Sequence, residues 1–518
     1  MSPRRPALRR AAGGAAAFLA LASLLAACSG AAPPADALRI GLEGNPTSLD
    51  PRYATDAYST RILGLVYEGL LTDPGDGGVA PALAESWEQP DDLTYRFTLR
   101  AGAVWQDGAP VTSADAAATF RFLADPRRAC PTQDVFSRLD AIATPDERTV
   151  QLHLREPFAS FLNKLTQPIV PARLQEPDLL AAEPVGSGPY RLAEWRRGEK
   201  VVLAANERWR DGPPAIKQLQ FFVVANDTTR LLRLSKGELD VLQNCTPPYA
   251  LKYAEELPGR QMLRAPGGNY SYLGFNLADP RGIVSNAKVR QAIAYALDRD
   301  QIIKTMLYGQ ARPATGLLAP GNWAYEADVR QYPYDPDRAR RLLDEAGFPL
   351  PAGGRGPRFT LSYKTSTDKL RLRIAEVMAN QLAAVGISLE RRSLEWGTFF
   401  EDVKRGNFET YTLVWVGVSD PDHLFYAFHS SMQPPRGANR GRYANADVDR
   451  WLEEARRTGD RIERRRLYGL VQKQLAEDCV YVSLWWADNI AVVPNRLHGF
   501  FLRPSGDFLS LAKARLGS

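Results

Sequence analysis

The sequence predicts an α/β fold with more than one hydrophobic core, and three observations carry that prediction. Short apolar strands alternate with amphipathic helices along the chain. The 518 residues, 45% of them hydrophobic, supply several times the roughly 100 to 200 residues of one domain. Gly (40) and Pro (38) cut the segments apart into many loops. This composition excludes disorder, collagen and coiled coil.

The elements follow in order. LRIGL from Leu38 is a short apolar strand ending at Gly44-Asn45-Pro46, and TRILGLVYEGLL offers a helical face through Ile62, Leu65, Val66 and Gly69. Leu93, Tyr95, Phe97 and Leu99 alternate with polar partners, the period of a strand with one buried face. A turn at Asp107-Gly108 follows, and Thr112 or Ser113 caps a helix from Ala116 to Leu123. TVQLHL from Thr149 is another strand, and Val185-Gly186-Ser187-Gly188-Pro189-Tyr190 forces a tight turn that marks a boundary.

Beyond it, KVVLAANERW and the run Leu219 to Val224 are strands, and TTRLLRLSKGELDVL carries a helix ending near Gly237. Val289, Ala292, Ile293, Ala296 and Leu297 form one apolar helical face capped by Ser285 or Asn286. Asp335-Pro336 starts the next helix, with Ala339, Leu342, Leu343 and Ala346 inward and Gly347 as its stop. FTLSY, ISLERRSL and TYTLVWV are strands with helices at Lys369 to Val385 and Phe399 to Lys404 between them. Finally VDRWLEEARR and RRRLYGLVQKQLAEDC are helices, and YVSLWW and NIAVVP return as strands.

The formal charge of +6 is concentrated at the start, where Arg4, Arg5, Arg9 and Arg10 precede the first acidic residue, Asp36. Without them the balance is ordinary, and no basic stripe of the kind that tracks nucleic-acid phosphates is visible. The uncharged stretch Ala11 to Ala27 is too short and too rich in Ala and Gly for a membrane span of roughly 20 residues, and it reads as a signal peptide. Leu25-Ala26-Ala27-Cys28 resembles the lipobox of bacterial lipoproteins, which implies lipidation of Cys28 and a mature chain starting there. Ser29 to Ala35 then suits a flexible tether. Of the remaining Cys130, Cys245 and Cys479, two can pair in an oxidising compartment or all can be buried thiols; no CxxC spacing suggests a metal.

Catalytic chemistry is hard to find. Of the four histidines, His153 lies in an alternating strand, and His423 and His429 are too far apart for one helical face and lack an HExxH arrangement. Ser187 stands between glycines, but a nucleophile elbow requires glycine where Val185 and Pro189 stand. The same glycines lack the Lys-Ser/Thr of a phosphate loop. Pairs such as Asp91-Asp92 and Asp420 with Asp422 are expected by chance among 59 acidic residues. The sequence is read as a non-enzyme without a cofactor or metal.

Five segments, in order, carry a resemblance: PTSLDP from Pro46, LAESWEQPDDLTYRFTLRAGAVWQDGAPVTSADA from Leu83, GSGPY from Gly186, KVRQAIAYALDR from Lys288, and YDPDRARRLLDEAGF from Tyr334. Over nearly all of its mature length the chain resembles the extracytoplasmic solute-binding proteins of ABC importers in the peptide and nickel group, solute-binding protein family 5. The resemblance implies a type II periplasmic-binding-protein fold, two α/β lobes with hinge strands plus an inserted third domain. On that pattern residues 1–27 are a lipoprotein signal peptide and 28–35 a tether. Lobe I comprises 36–76, 185–275 and 480–518, the inserted domain 77–184, and the other lobe, lobe III, 276–479.

The same resemblance implies a receptor, lipid-anchored to a bacterial membrane on its extracytoplasmic side. It would act as a monomer, capture a di- or oligopeptide between its lobes and hand it to the transmembrane subunits of an ABC permease. Nucleic acid is not an expected partner. The ligand-binding candidates are Trp396, Trp415, Gly417, Ser419 and Asp420, then Tyr272 and Asn276 where the chain passes between lobes, and Asn45 in the opening loop. For Trp396 and Trp415 the alternative is core packing, and for Asp420 an Asp-Pro turn. In peptide-binding members an aspartate in the loop after the strand ending at Trp415 pairs with the ligand's ammonium. Its place here falls on Val418, and the loop is a residue shorter. Either Asp420 takes the cation or the ligand lacks a free amine. A non-peptide solute (nickel chelate, sugar, opine or haem) keeps the fold and changes the cargo, and a secreted hydrolase would require a nucleophile and base that are not visible.

Overall fold

The computed structural model describes residues 37–517, so Cys28, the signal segment and the tether lie outside the described residues. One mixed sheet runs the length of the molecule. Its strands stand in the order Tyr190–Arg196, Lys200–Ala205, Gln218–Val223, Ala37–Leu42, Val241–Gln243, Tyr481–Pro494, Arg260–Phe275, Thr410–Trp415, Phe359–Ser366 and Ile387–Leu394. The short strand Ala311–Pro313 pairs with Tyr481–Pro494 beside this path.

The two long central strands are what divides the sheet. Arg260–Ala265 pairs with Asn489–Pro494 among the first lobe's strands, whereas Asn269–Phe275 lies between Tyr481–Ala487 and Thr410–Trp415 in the second. Between them the register breaks at Pro266-Gly267-Gly268, where proline removes a ladder donor. A Cβ on Gly267 would stand 2.3 Å from the Ala487 carbonyl oxygen, so glycine is required for the two strands to approach.

This corrects two expectations. YVSLWW and NIAVVP are one continuous strand, and the passages between lobes fall near Pro266 and Asp488 rather than after Phe275 and Cys479. The reason is physical: a strand that leaves one half-sheet and enters the next needs no turn, so the sequence carries no punctuation there.

A separate antiparallel sheet, Ala84–Glu88, Thr94–Leu99, Thr149–Leu154 and Leu139–Ala143, belongs to the insertion. Tyr95, Phe97 and Leu99 face its core, and the helix Ser113–Ala124 covers it. Thr112 is the cap, its backbone N–H and hydroxyl both donating to Asp115. The core of the insertion is continuous with that of the first lobe: Phe97, Phe120 and Leu152 belong to the same buried cluster as Ile40, Leu203 and Phe221. The second lobe has its own clusters around Ile293 and Tyr363 and around Phe399 and Tyr468. The insertion and the first lobe therefore pack as one body against the second lobe.

The two lobes fasten a helix in the same way. Asn226 caps Asp227–Ser235 and Asn286 caps Ala287–Ala296, each accepting a backbone N–H of the first turn. Four residues after each cap, Arg230 and Arg290 are buried and donate to backbone carbonyls, among them those of Cys245 and Cys479. Both cysteines are buried free thiols, as is Cys130. Burial pushes the Cys245 and Cys479 thiols up to about 12, so both stay protonated and inert. In the first helix, Ala57–Val66, the expected face holds at Ile62, Leu65 and Val66, but Gly69 lies beyond the helix end. No helix among the described residues is long and apolar enough to cross a membrane.

Candidate functional site

The strand Phe359–Ser366 runs parallel to both neighbours, so the carboxyl ends of three strands, at Ser366, Leu394 and Trp415, share one edge of the second lobe. In open α/β sheets ligands bind outside such an edge. The residues that follow supply an aromatic wall. Glu395 caps the helix Trp396–Arg405 by accepting the Gly397 and Thr398 N–H groups, which places Trp396 in the first turn, 49% exposed. Its indole stacks on Phe400 with 5.6 Å between centroids and 10° between planes. Trp415 ends its strand, with Tyr426 packed edge-on at 6.1 Å. The Arg440 guanidinium lies over both Phe400 (5.3 Å) and Trp415 (4.9 Å).

The loop Asp73 to Gly78 reaches the second lobe at the loop that follows Trp415. Gly77 lies so close to the loop Val416 to Asp420 that a Cβ would be 2.2 Å from the Ser419 carbonyl oxygen. The same oxygen accepts the Asn322 amide, and Gly417, at φ +68, donates its N–H to Asn269 Oδ1 at 3.2 Å. Two cavities meet at this seam. One of about 120 Å³ is lined by Pro266 to Gly268 of the crossing strand, Arg312, and Gly417 to Ser419. The other, of about 450 Å³, lies between the insertion (Phe136, Asn163, Lys164), the first lobe (Ala54, Leu63) and Ser419, Asp420 and His423. Asp73 and Ser419 line both.

Asp420 is committed. It is buried, Lys164 of the insertion donates to it at 2.9 Å, Ser160 Oγ stands at 3.3 Å, and the Asp422 N–H donates at 3.0 Å. Beside this pair Arg456 holds Asp422 at 2.8 Å and its guanidinium lies 3.7 Å above Phe425. The Ala159 N–H donates to the Arg456 carbonyl across the same contact. Asp420 thus ties the insertion to the second lobe. Burial disfavours its charge, but the Lys164 ammonium and the Asp422 N–H outweigh that and hold its carboxyl below the usual range. Lys164 is raised: burial opposes its charge, and Asp420 and Asp422 more than compensate. His423, packed between Trp415 and this pair, is lowered by burial and by the Lys164 charge.

These directions set a pH profile. Asp420 lies below its unfolded value, so its share of stability is present above about pH 3.9 and is lost as pH falls through its folded value. His423 also lies below its unfolded value of about 6.5, so its share is present above that pH and lost on acidification, because the closed site resists the proton. Lys164 has the opposite sign, its share being complete below about pH 10.4 and fading as pH rises through the raised value. Scanning calorimetry is expected to give a Tm that is level between about pH 7 and 10 and falls in one step below about 6.5 and another below about 4. His423→Gln should remove only the first step. A wild-type profile without that step contradicts the burial of His423.

The remaining candidates lie off the wall. Tyr272 is fully buried, stacked 4.1 Å from Tyr481 and 5.7 Å from Tyr270, and its hydroxyl accepts from Arg440 at 3.2 Å. It stands behind the wall and positions that arginine. Asn276 is buried and donates to the Gly406 and Phe408 carbonyls, fixing the end of a helix to the sheet. Asn45 is exposed and accepts the Gly198 N–H at 2.9 Å, tying the opening loop to a hairpin. Sequence reasoning missed Lys164 and Arg312, each a lone basic residue in a short element, and Arg440, one of three arginines in the loop Arg436 to Arg442, because no periodicity singles any of them out.

Residues 78–434 match the family described as bacterial extracellular solute-binding proteins, family 5. The chain belongs to that family. The glutathione-binding protein GsiB of Escherichia coli O1:K1 / APEC is 30% identical to this family 5 protein over 94% of this chain and 95% of its own. The oligopeptide-binding protein AppA of Bacillus subtilis (strain 168) is 27% identical, covering 96% of this chain and 97% of AppA. AppA has been solved in complex with a nonapeptide, and that structure superposes with a TM-score of 0.79 at 26% identity, covering 93% of this chain and 99% of AppA. NikZ from Campylobacter jejuni in complex with Ni(L-His) superposes with a TM-score of 0.81 at 25% identity, covering 93% of this chain and all of NikZ. The fold of this family 5 protein is accordingly the type II fold.

Proposed function

We propose that this family 5 protein is the peptide receptor of an ABC importer, capturing a di- or oligopeptide in the cleft between its lobes and delivering it unchanged to the permease. One observation carries the reading: the loop that follows Trp415 at the carboxyl edge of one lobe meets the Asp73 to Gly78 loop of the other, and cavities of about 450 and 120 Å³ lie at that seam. The match along nearly the whole chain to proteins named for oligopeptide and glutathione binding supports it. Rings such as Trp396 and Trp415 give area that tolerates different side chains, while trapped water and backbone groups satisfy the peptide amides. A ligand drives closure only by as much as it prefers the closed state. The receptor works outside the cytoplasm as a monomer, tethered by a lipid on Cys28, with lobe I and the inserted domain moving as one body against lobe III.

A panel of di- to nonapeptides tests this by thermal shift. A cargo peptide at one hundred times its Kd should add about 2.7 kcal/mol of stability and be recovered intact by mass spectrometry. No shift with any member overturns the peptide reading, and a cleaved product overturns the receptor reading. A second reading, a non-peptide solute, is favoured by one observation: with Val418 in the family's amine-binding place and Asp420 paired to Lys164, this loop leaves a ligand ammonium unmatched. A panel of nickel chelates, opines, sugars and haem in the same assay decides between them.

A further inference from the structure

We propose that the base of lobe I is a docking surface for anionic phospholipid headgroups, on which the tethered receptor rests with lobe III turned away from the bilayer; this rests on the lipid-anchored reading of Cys28 above. The strand register shows which edge of the sheet forms that base. Ala37 opens its strand opposite Gln218, Gln218 stands opposite Ala204, and Ala204 opposite Arg191. Arg260 and Pro494, paired at the outer ends of the two crossing strands, continue the same edge, and both strands lead from there to the break at Pro266 and Asp488. The edge is therefore the end of lobe I remote from lobe III. Cys28 lies nine residues before Ala37, so an acyl group there holds this edge within about 30 Å of the bilayer even at full extension.

This edge carries an excess of positive charge. A cavity of about 260 Å³ opens on it, lined by Arg191, Arg208 and Lys217 together with the acidic Glu207, and all four are exposed. Glu207 bonds Lys217 at 3.0 Å and the Arg208 guanidinium donates to the Gln106 carbonyl, which leaves Arg191 and Arg208 without a carboxylate among the described residues. Farther along, three guanidiniums gather on one acidic residue: the Asp240 carboxylate accepts from Arg39 at 2.8 Å and from Arg496 at 3.4 Å, and its carbonyl accepts from Arg260. Two carboxylates thus stand against six basic groups. Further acidic residues nearby are each matched, Asp211 by Lys513, Glu238 by Arg233, Glu255 by Arg264 and Glu256 by Lys252. Cations spread along a strand edge complement a charged surface better than a single small anion. An anionic bilayer attracts each such residue by a factor of about five, over a range of about 8 Å at physiological ionic strength, so the charge is useful where a tether brings the edge close.

The test uses the mature chain, residues 28–518, with Cys28→Ser so that no acyl group is attached. It is mixed with vesicles of phosphatidylcholine alone or with about 30% phosphatidylglycerol, and the bound fraction is read by cosedimentation. The protein is expected to sediment with the anionic vesicles at about 50 mM salt and not with the neutral ones, and about 200 mM salt should release it. Arg191→Gln combined with Arg208→Gln should weaken the partition roughly 25-fold. Arg373→Gln combined with Arg391→Gln, which removes the same charge from two exposed positions of lobe III, should leave it unchanged. Far-ultraviolet circular dichroism checks that both variants keep the fold. Equal binding to neutral vesicles, no binding to anionic ones, or an unchanged partition after the Arg191 and Arg208 substitutions overturns the proposal. Release by inorganic phosphate at constant ionic strength overturns it as well, since that would mark a phosphate pocket instead of a membrane surface. The anchor is decided separately by the mass of the mature N-terminal peptide: an unmodified Cys28 overturns the tether, and the vesicle binding still decides the surface.

Discussion

Lys164→Met is expected to lower the stability of the closed receptor by about 2–4 kcal/mol, because it strands the buried Asp420 carboxylate without its counter-charge. The lower half of that range reflects the 27% exposure that the Lys164 side chain retains, through which water screens part of the loss. The pair joins the insertion to the second lobe, so the loss appears first as opening of the seam and only then as unfolding. Small-angle scattering should show a larger radius of gyration for the variant without ligand, and urea titration should show the lower midpoint. Asp420→Asn should behave alike, and the double variant should cost less than the two singly, since it removes the charge and its partner together. Additive losses would mean that the two residues do not act as a pair.

Gly186→Ala is expected to cost about 3 kcal/mol or more, the high end of what overpacking does. The segment Val185 to Tyr190 lies against the carboxyl end of the helix Ala57–Val66. A Cβ on Gly186 would stand 1.9 Å from the Val66 carbonyl oxygen, and one on Gly188 2.7 Å from that of Leu65. These are backbone atoms of a helix, and the Gly188 N–H also donates to the Val66 carbonyl, so neither side can withdraw without losing hydrogen bonds. Gly64, in the same helix, has nothing within 4 Å of its Cβ position. Gly64→Ala should therefore be neutral or stabilising by up to about 1 kcal/mol. Urea midpoints of the two variants, compared with wild type, check both statements; a small effect at Gly186 would mean the close approach does not exist.

The contrast between those glycines shows what the sequence could convey. GSGPY was legible as a turn, and the alternating strands at Tyr95 to Leu99 and Thr149 to Leu154 were legible as half-buried, because local periodicity and turn chemistry write themselves into neighbouring residues. Caps at Thr112, Asn286 and Asp335 were legible for the same reason. The crossing strand Arg260–Phe275 was not, since it changes surroundings halfway along and carries no single period. Trp396 and Trp415 were singled out by type and position, and they stand at the carboxyl edge of the second lobe's strands. Asp420 was singled out as a candidate contact, but its partner Lys164 lies more than 250 positions earlier, and such a pairing is visible only after folding. Tyr272 and Asn276 were expected at a passage between lobes, but the chain crosses earlier, near Pro266, and both side chains are buried in packed layers.

The pair of ribbons that carries the chain from one half of the molecule to the other has a mechanical meaning. Each ribbon is hydrogen-bonded to its mate on both sides of Pro266-Gly267-Gly268, so sliding one half past the other would tear the ladder, whereas swinging only re-aims a few dihedrals at the break. The ladder thus lets the two halves swing but not slide, and Gly77 and Ser419 lie on the line where those halves meet.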